Sequence, residues 1–338
     1  MLTRDWRPST KAVAKGILTL LVLAFVARHV LRTRADLLAR GVSLEFDPGW
    51  LSASVALYLA GLLAFGAYFW RVLGRGDTPV GFYSAIRAYL VSHLAKYIPG
   101  KAMVVVVRST MVVPDGARVS TSAFATLYET LVMMAAGGLV AAAGFGLRAI
   151  SEPRSGGPST RFALPWGGRP EVEVPFSGLG VAAGLGFLVL VWPGVFPKLA
   201  GWIRKPLRGV GADALPRFSA PLLLEGLAWS TVGWVFLGLS QVAVIAGIGP
   251  SGLVPRAADW PLAVASVALA TVAGFAVPIT PGGLGVREWV LWTALASTLD
   301  RDWAVVAALV LRLVWVLGEV LVALVLMAIP PRSRRSPG

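Results

Sequence analysis

The chain has 338 residues, of which 56% are hydrophobic and only 14% charged, and its formal net charge is +14. Soluble domains keep about a quarter of their residues charged, so this composition excludes an ordinary soluble protein and indicates a polytopic membrane protein. With no cysteine and only His29 and His93, the chain cannot build a disulfide framework, an iron–sulfur site, a thiol nucleophile or a histidine-rich metal centre.

The cations stand in short loops beside apolar runs rather than on a separate basic domain, which reads as topology signals and headgroup contacts and excludes a nucleic-acid partner. Arg4, Arg7, Lys11 and Lys15 lead into the first apolar run, Ala12 to Ala27. Their order is that of a signal peptide, but no small-x-small cleavage site follows and later spans do, so an uncleaved anchor is expected. The first span is placed at Ala12 to Val30 and the second at Trp50 to Trp70.

The next region, Phe82 to Val113, is apolar enough for a bilayer yet carries Lys96, Lys101 and Arg108 and is cut by Pro99-Gly100. Proline removes a backbone donor and clashes with the preceding turn, so one short helix should close before it and a new chain direction should open at Lys101. A broken, re-entrant element is predicted. Non-helical backbone at membrane depth is tolerated where protein or a water-filled cavity satisfies it, so such a break points to a site.

A long span near Val119 to Leu147 carries Glu129, and a Pro/Gly/Ser/Arg-rich loop from Ser151 to Pro175 follows. The second part resumes with Gly178 to Phe196. A basic loop with Lys198, Arg204, Lys205, Arg208 and Arg217 comes next, then Phe218 to Ile248 and Leu262 to Val277. Pro278 to Glu288 is a second break, before a short apolar piece, Trp289 to Leu299, and a last span, Trp303 to Ile329. The chain thus divides into a first membrane half (1–150, broken at 82–113), an external loop (151–177) and a second half (178–338, broken at 278–288). About eight crossings are expected. The excess of Lys and Arg on one set of loops places both termini in the cytoplasm. Trp50, Trp70, Trp192, Trp202, Trp260 and Trp303 fall near span ends, where an aromatic belt would hold them.

In the second break, Pro281, Gly282, Gly283 and Gly285 precede Val-Arg287-Glu288, where a helix can restart. Its free N–H groups and Arg287 would offer a positive pole to an anion such as a phosphate. Two Pro/Gly-interrupted apolar segments, one per half, are the pattern of a transporter site at a repeat interface.

These motifs also carry a resemblance. Lys96-Tyr-Ile-Pro-Gly-Lys101 and Pro281-Gly-Gly-Leu-Gly-Val-Arg-Glu288 resemble the lysylphosphatidylglycerol synthase transmembrane region family of flippase-like membrane proteins, over about Ala12 to Ile329. The resemblance implies an all-α transmembrane helix bundle in the cell (inner) membrane that moves aminoacylated phospholipid between leaflets. Some members are fused to a cytosolic transferase. This chain runs only nine residues beyond Ile329, so the resemblance does not extend to lipid aminoacylation.

Glu129, Glu225, Arg287, Glu288, Arg312 and Glu319 lie in or beside apolar runs, where each would cost about 2.5–3.5 kcal/mol facing lipid at a helix centre. They should face protein or water. Arg312 and Glu319 lie two turns apart on one helix, so pairing with Glu129, Glu225 or Arg287 from other spans is expected. The candidate substrate-binding set is therefore Lys96, Tyr97, Pro99, Gly100, Lys101, Arg108, Glu129, Glu225, Pro281, Gly282, Gly283, Gly285, Arg287, Glu288, Arg312 and Glu319.

Plainer readings stand beside this one. Lys96, Lys101 and Arg108 would then snorkel to headgroups, Pro281 to Gly285 would form an ordinary loop, and the buried charges would be structural pairs. His29 and His93 read as interfacial polar residues, and Gly137-Gly138 and Gly184-x-Gly186 as close helix packing. Without a His-Glu-x-x-His, Gly-x-Ser-x-Gly or Walker motif, neither an enzyme nor a cofactor is expected. Two functions remain open: a transporter whose partner is membrane lipid, and a non-transporting subunit that docks a separately encoded transferase.

Overall fold

The computed structural model describes residues 45–76, 80–97, 102–151, 157–162, 172–204, 215–249, 255–277, 283 and 285–329. The first expected span, Ala12 to Val30, lies outside them. Helix α1, Pro48–Leu73, starts where the Asp47 carboxylate accepts from the backbone N–H groups of Gly49 and Trp50 at 2.7 and 3.1 Å, with Pro48 preset for the first turn. There follow α2 (Phe82–His93), a 3-10 turn (Leu94–Tyr97), α3 (Ala102–Met111) and α4 (Val119–Ser151). At 1.5 Å per residue, α2 and α3 span only about 18 and 15 Å, half a hydrocarbon core each. The region 82–113 thus holds two half-length helices rather than one span; Pro99 and Gly100, on which the expected break rests, lie outside the described residues.

The loop expected at Ser151 to Pro175 contains an antiparallel hairpin of β1 (Ser159–Phe162) and β2 (Val172–Pro175), with Ser159 opposite Pro175. Next come α5 (Phe176–Val191) and α6 (Phe196–Arg204), bent 71° from each other. The first part of the expected basic loop is thus helix: Phe196 and Ala200 are buried, while Trp202, 72% exposed, and Ile203 near its end stand out of the core. The remainder is α7 (Ala220–Ile248), α8 (Trp260–Ala276), α9 (Val286–Leu295) and α10 (Arg301–Ala328).

Among the described residues five helices are long and apolar enough to cross a membrane, or six if the bent α5–α6 pair is one span. The expected count of about eight includes Ala12 to Val30, outside these residues; of the described segments assigned as spans, the ten-residue α9 reaches only about 15 Å, too short to cross alone. The protein is an all-α polytopic bundle. Its two sequence halves interleave: α1 packs along α7, α4 against α5, α7 and α8, and α10 against α1, α2, α7 and α9.

Close approach of α4 and α5 depends on glycine. A Cβ on Gly138 would lie 2.3 Å from the Gly184 nitrogen, and one on Gly180 would lie 2.6 Å from the Ala142 nitrogen, so backbone meets backbone as small-x-x-x-small faces allow. Gly186 meets nothing within 4 Å, which removes it from the expected packing set. Gly138→Ala is expected to cost about 1–3 kcal/mol through overpacking. Gly186→Ala is the matched control and should leave the thermal midpoint of the detergent-solubilised protein unchanged or slightly raised; equal effects would show that the approach is not tight.

Candidate functional site

Helix α2 ends at His93, and the 3-10 turn that follows carries Lys96 and Tyr97 inward. The Lys96 ammonium lies 2.5 Å from Glu319 Oε1 on α10, 3.5 Å from the Tyr58 hydroxyl and 5.1 Å from the Tyr97 ring centroid. Tyr58 also donates to Glu319, a short hydrogen bond, and His93 Nε2 lies 3.9 Å from the same oxygen. Glu319 is fully buried. An apolar interior tolerates a carboxylate there only with such donors around it.

A second cluster sits where α3 meets α2 and α4. Arg108, 2% exposed, reaches Glu129 Oε2 at 2.9 Å and Ser92 Oγ at 3.0 Å, and its guanidinium lies 3.9 Å from the Tyr89 ring centroid. Tyr89 and Thr130 donate to the two oxygens of Glu129 at 3.1 and 3.3 Å. Arg108 therefore clamps α3 to both neighbours. Its burial rules out the snorkelling alternative for this residue.

The third cluster is the start of α9. Gly283 and Gly285 have φ of +73° and +86°, left-handed conformations that favour glycine. A Cβ on Gly283 would lie 2.9 Å from the Gly274 Cα, so this break packs directly on the end of α8. The expected anion pole needs correction. Glu288 Oε2 accepts from the Gly285 N–H at 2.7 Å, so the helix's own carboxylate occupies one of the donors offered to a ligand. The other Glu288 oxygen accepts a short bond from Arg312. Arg287 alone carries the positive charge into the interior, its guanidinium 4.4 Å from the Trp315 ring centroid. Tyr58 stacks on Trp315 at 4.3 Å, and Trp315 Nε1 donates to Ser240 Oγ at 2.9 Å.

These groups surround a cavity of about 440 Å³. Lys96, Arg108, Gly283 and Arg287 line it, and so do apolar side chains of α1, α3, α4 and α7 such as Phe65, Val105, Leu127 and Trp234. Glu319 and Glu129 pair with the lining cations Lys96 and Arg108, Glu288 pairs with Arg312 behind them, and Tyr97 flanks Lys96. Gly285 stands exposed at the α9 start. Glu225 is not brought to this site: it pairs with Arg71 at 2.6 Å, where α7 meets the end of α1. Pro99, Gly100, Lys101, Pro281 and Gly282 lie outside the described residues.

The expected cross-span partners are also corrected: Arg312 meets Glu288 and Glu319 meets Lys96, because α9 and the turn after α2, rather than α4 or α7, face α10 at those depths. His93, expected at the interface, lines the cavity. Sequence reasoning missed Tyr58, Tyr89 and Trp315. Their signal was position, since each lies within an apolar helix away from the ends where aromatic belts form.

A family model described as "Lysylphosphatidylglycerol synthase TM region" matches residues 12–323 of the chain. The match covers both half-helix breaks and every side chain of the three clusters. A search of curated proteins finds no match.

Proposed function

The chain belongs to the lysylphosphatidylglycerol synthase transmembrane-region family, and from that premise we propose that it moves an anionic or aminoacylated phospholipid, or a lipid-linked precursor, between leaflets without catalysing a reaction. It works in the cell membrane. The observation that carries this reading is the cavity itself: Lys96 and Arg108 from one broken segment and Gly283 and Arg287 from the other line a single space. Cations carried on half-length helices and converging on one cavity give an anionic headgroup a polar stop among apolar walls. The flanking apolar walls of α1, α3 and α4 accept acyl chain.

The test is the full-length protein in vesicles with headgroup-labelled fluorescent phospholipids and a membrane-impermeant quencher. Movement that depends on the headgroup, with no added protein, is expected. If no labelled lipid moves until a separately encoded transferase is added, the chain is a docking subunit and the transport reading is overturned.

A further inference from the structure

The charge balance of the cavity is uneven. Four cations and three carboxylates of the described residues stand in or directly behind its wall. Lys96 pairs with Glu319 at 2.5 Å, Arg108 with Glu129 at 2.9 Å, and Arg312 with Glu288. Arg287 makes no ion pair among the described residues; its contact is the face of Trp315. A ring quadrupole orients a guanidinium but does not neutralise it. One positive charge is therefore left over, on a side chain that faces the cavity.

The surroundings narrow what could balance it. Each carboxylate is already held by a cation, and Glu129 and Glu319 accept from tyrosine hydroxyls as well. An ammonium group entering the cavity would find each carboxylate already paired with a cation, with only Glu319 Oε2, buried behind the wall, lacking a hydrogen-bond partner, and would meet three cations. The remaining wall is largely apolar, with Leu62, Phe65, Leu127 and Leu237 outweighing Thr126, Thr130 and Thr271. A volume of about 440 Å³ lies within the roughly 300–1,000 Å³ typical of small-ligand pockets, so it takes part of a lipid rather than a whole one.

We propose that Arg287 binds the single phosphodiester of a lipid with one net negative charge and no amine, so that the cavity selects an unmodified monoanionic phospholipid over its aminoacylated form. This rests on the lipid-transport reading and names its substrate class. Charge neutrality drives the choice. The phosphodiester balances Arg287 in a medium where an unbalanced charge is costly, whereas a lysyl headgroup would bring two ammonium groups into an already cationic space. A free phosphate compound offers the same anion but nothing for the apolar wall, so it should bind far more weakly.

The test is competition binding to the full-length protein in neutral detergent, read by tryptophan fluorescence, with short-chain phosphatidylglycerol, phosphatidylethanolamine and lysyl-phosphatidylglycerol as probes and glycerol phosphate as the soluble control. Phosphatidylglycerol is expected to bind about 10- to 100-fold more tightly than the two amine-bearing lipids, which offer the same phosphodiester but bring ammonium charge against the cavity's cations. Glycerol phosphate should not displace it. Arg287→Gln should remove the preference and Arg287→Lys should retain it.

Equal or tighter binding of lysyl-phosphatidylglycerol to the unaltered protein overturns the proposal, as does a preference that survives in Arg287→Gln. Displacement by glycerol phosphate at equal concentration overturns the lipid assignment. If Arg287→Gln fails to fold, the wild-type competition still decides. Selective binding without movement in vesicles would sink transport and leave the selectivity standing; movement that favours the lysyl lipid would do the reverse.

Discussion

Arg108→Ala is expected to destabilise the protein by about 3–5 kcal/mol, because it leaves Glu129 buried without its cation. Glu129 is 1% exposed, and after the substitution only Tyr89 and Thr130 would donate to it. The double variant Arg108→Met with Glu129→Gln removes both charges and keeps much of the volume, so it should recover most of the loss. Thermal unfolding of the detergent-solubilised variants measures both. A double variant no more stable than Arg108→Ala would mean that the cost lies in lost packing on Tyr89 and Phe69, whose ring centroids lie 3.9 and 5.2 Å from the guanidinium, rather than in an unpaired charge.

Lys96→Met should give the largest functional effect. It removes a cavity cation and strands fully buried Glu319, so both abundance and lipid movement should fall. Adding Glu319→Gln should restore abundance, since the pair is then neutral on both sides. It should not restore movement, which is expected to stay down by about 10- to 100-fold if the ammonium contacts a headgroup oxygen. Western quantification beside the vesicle assay separates the two readouts. Full movement in the double variant would reduce the Lys96–Glu319 pair to a structural tie.

The two breaks were legible in sequence because their cause is local. Pro99 forbids a continuing helix whatever surrounds it, and Gly283 and Gly285 supply the positive φ from which α9 starts. Most span positions among the described residues were legible for the same reason, since length and hydropathy fix them without reference to neighbours. Partnerships were not. Seven residues separate Arg312 from Glu319, and that spacing says they share a face, but which helix opposes that face depends on how α2, α9 and α10 pack. The anion pole of α9 failed as an expectation for a subtler reason: Glu288 was read as a partner for cations, yet its position three residues after Gly285 also lets it cap its own helix. Trp315 was overlooked because tryptophan in a membrane protein suggests the interface, whereas here its ring carries Arg287 and its N–H reaches Ser240.

The account turns on a lipid phosphate lying between the two breaks, and a high-resolution electron-microscopy map of the protein in nanodiscs containing phosphatidylglycerol tests that most directly. Density for a phosphate is expected within hydrogen-bond reach of Arg287, with chain density running along Val105 and Leu127. A cavity holding only water, with ordered lipid confined to the outer faces of the bundle, would contradict it.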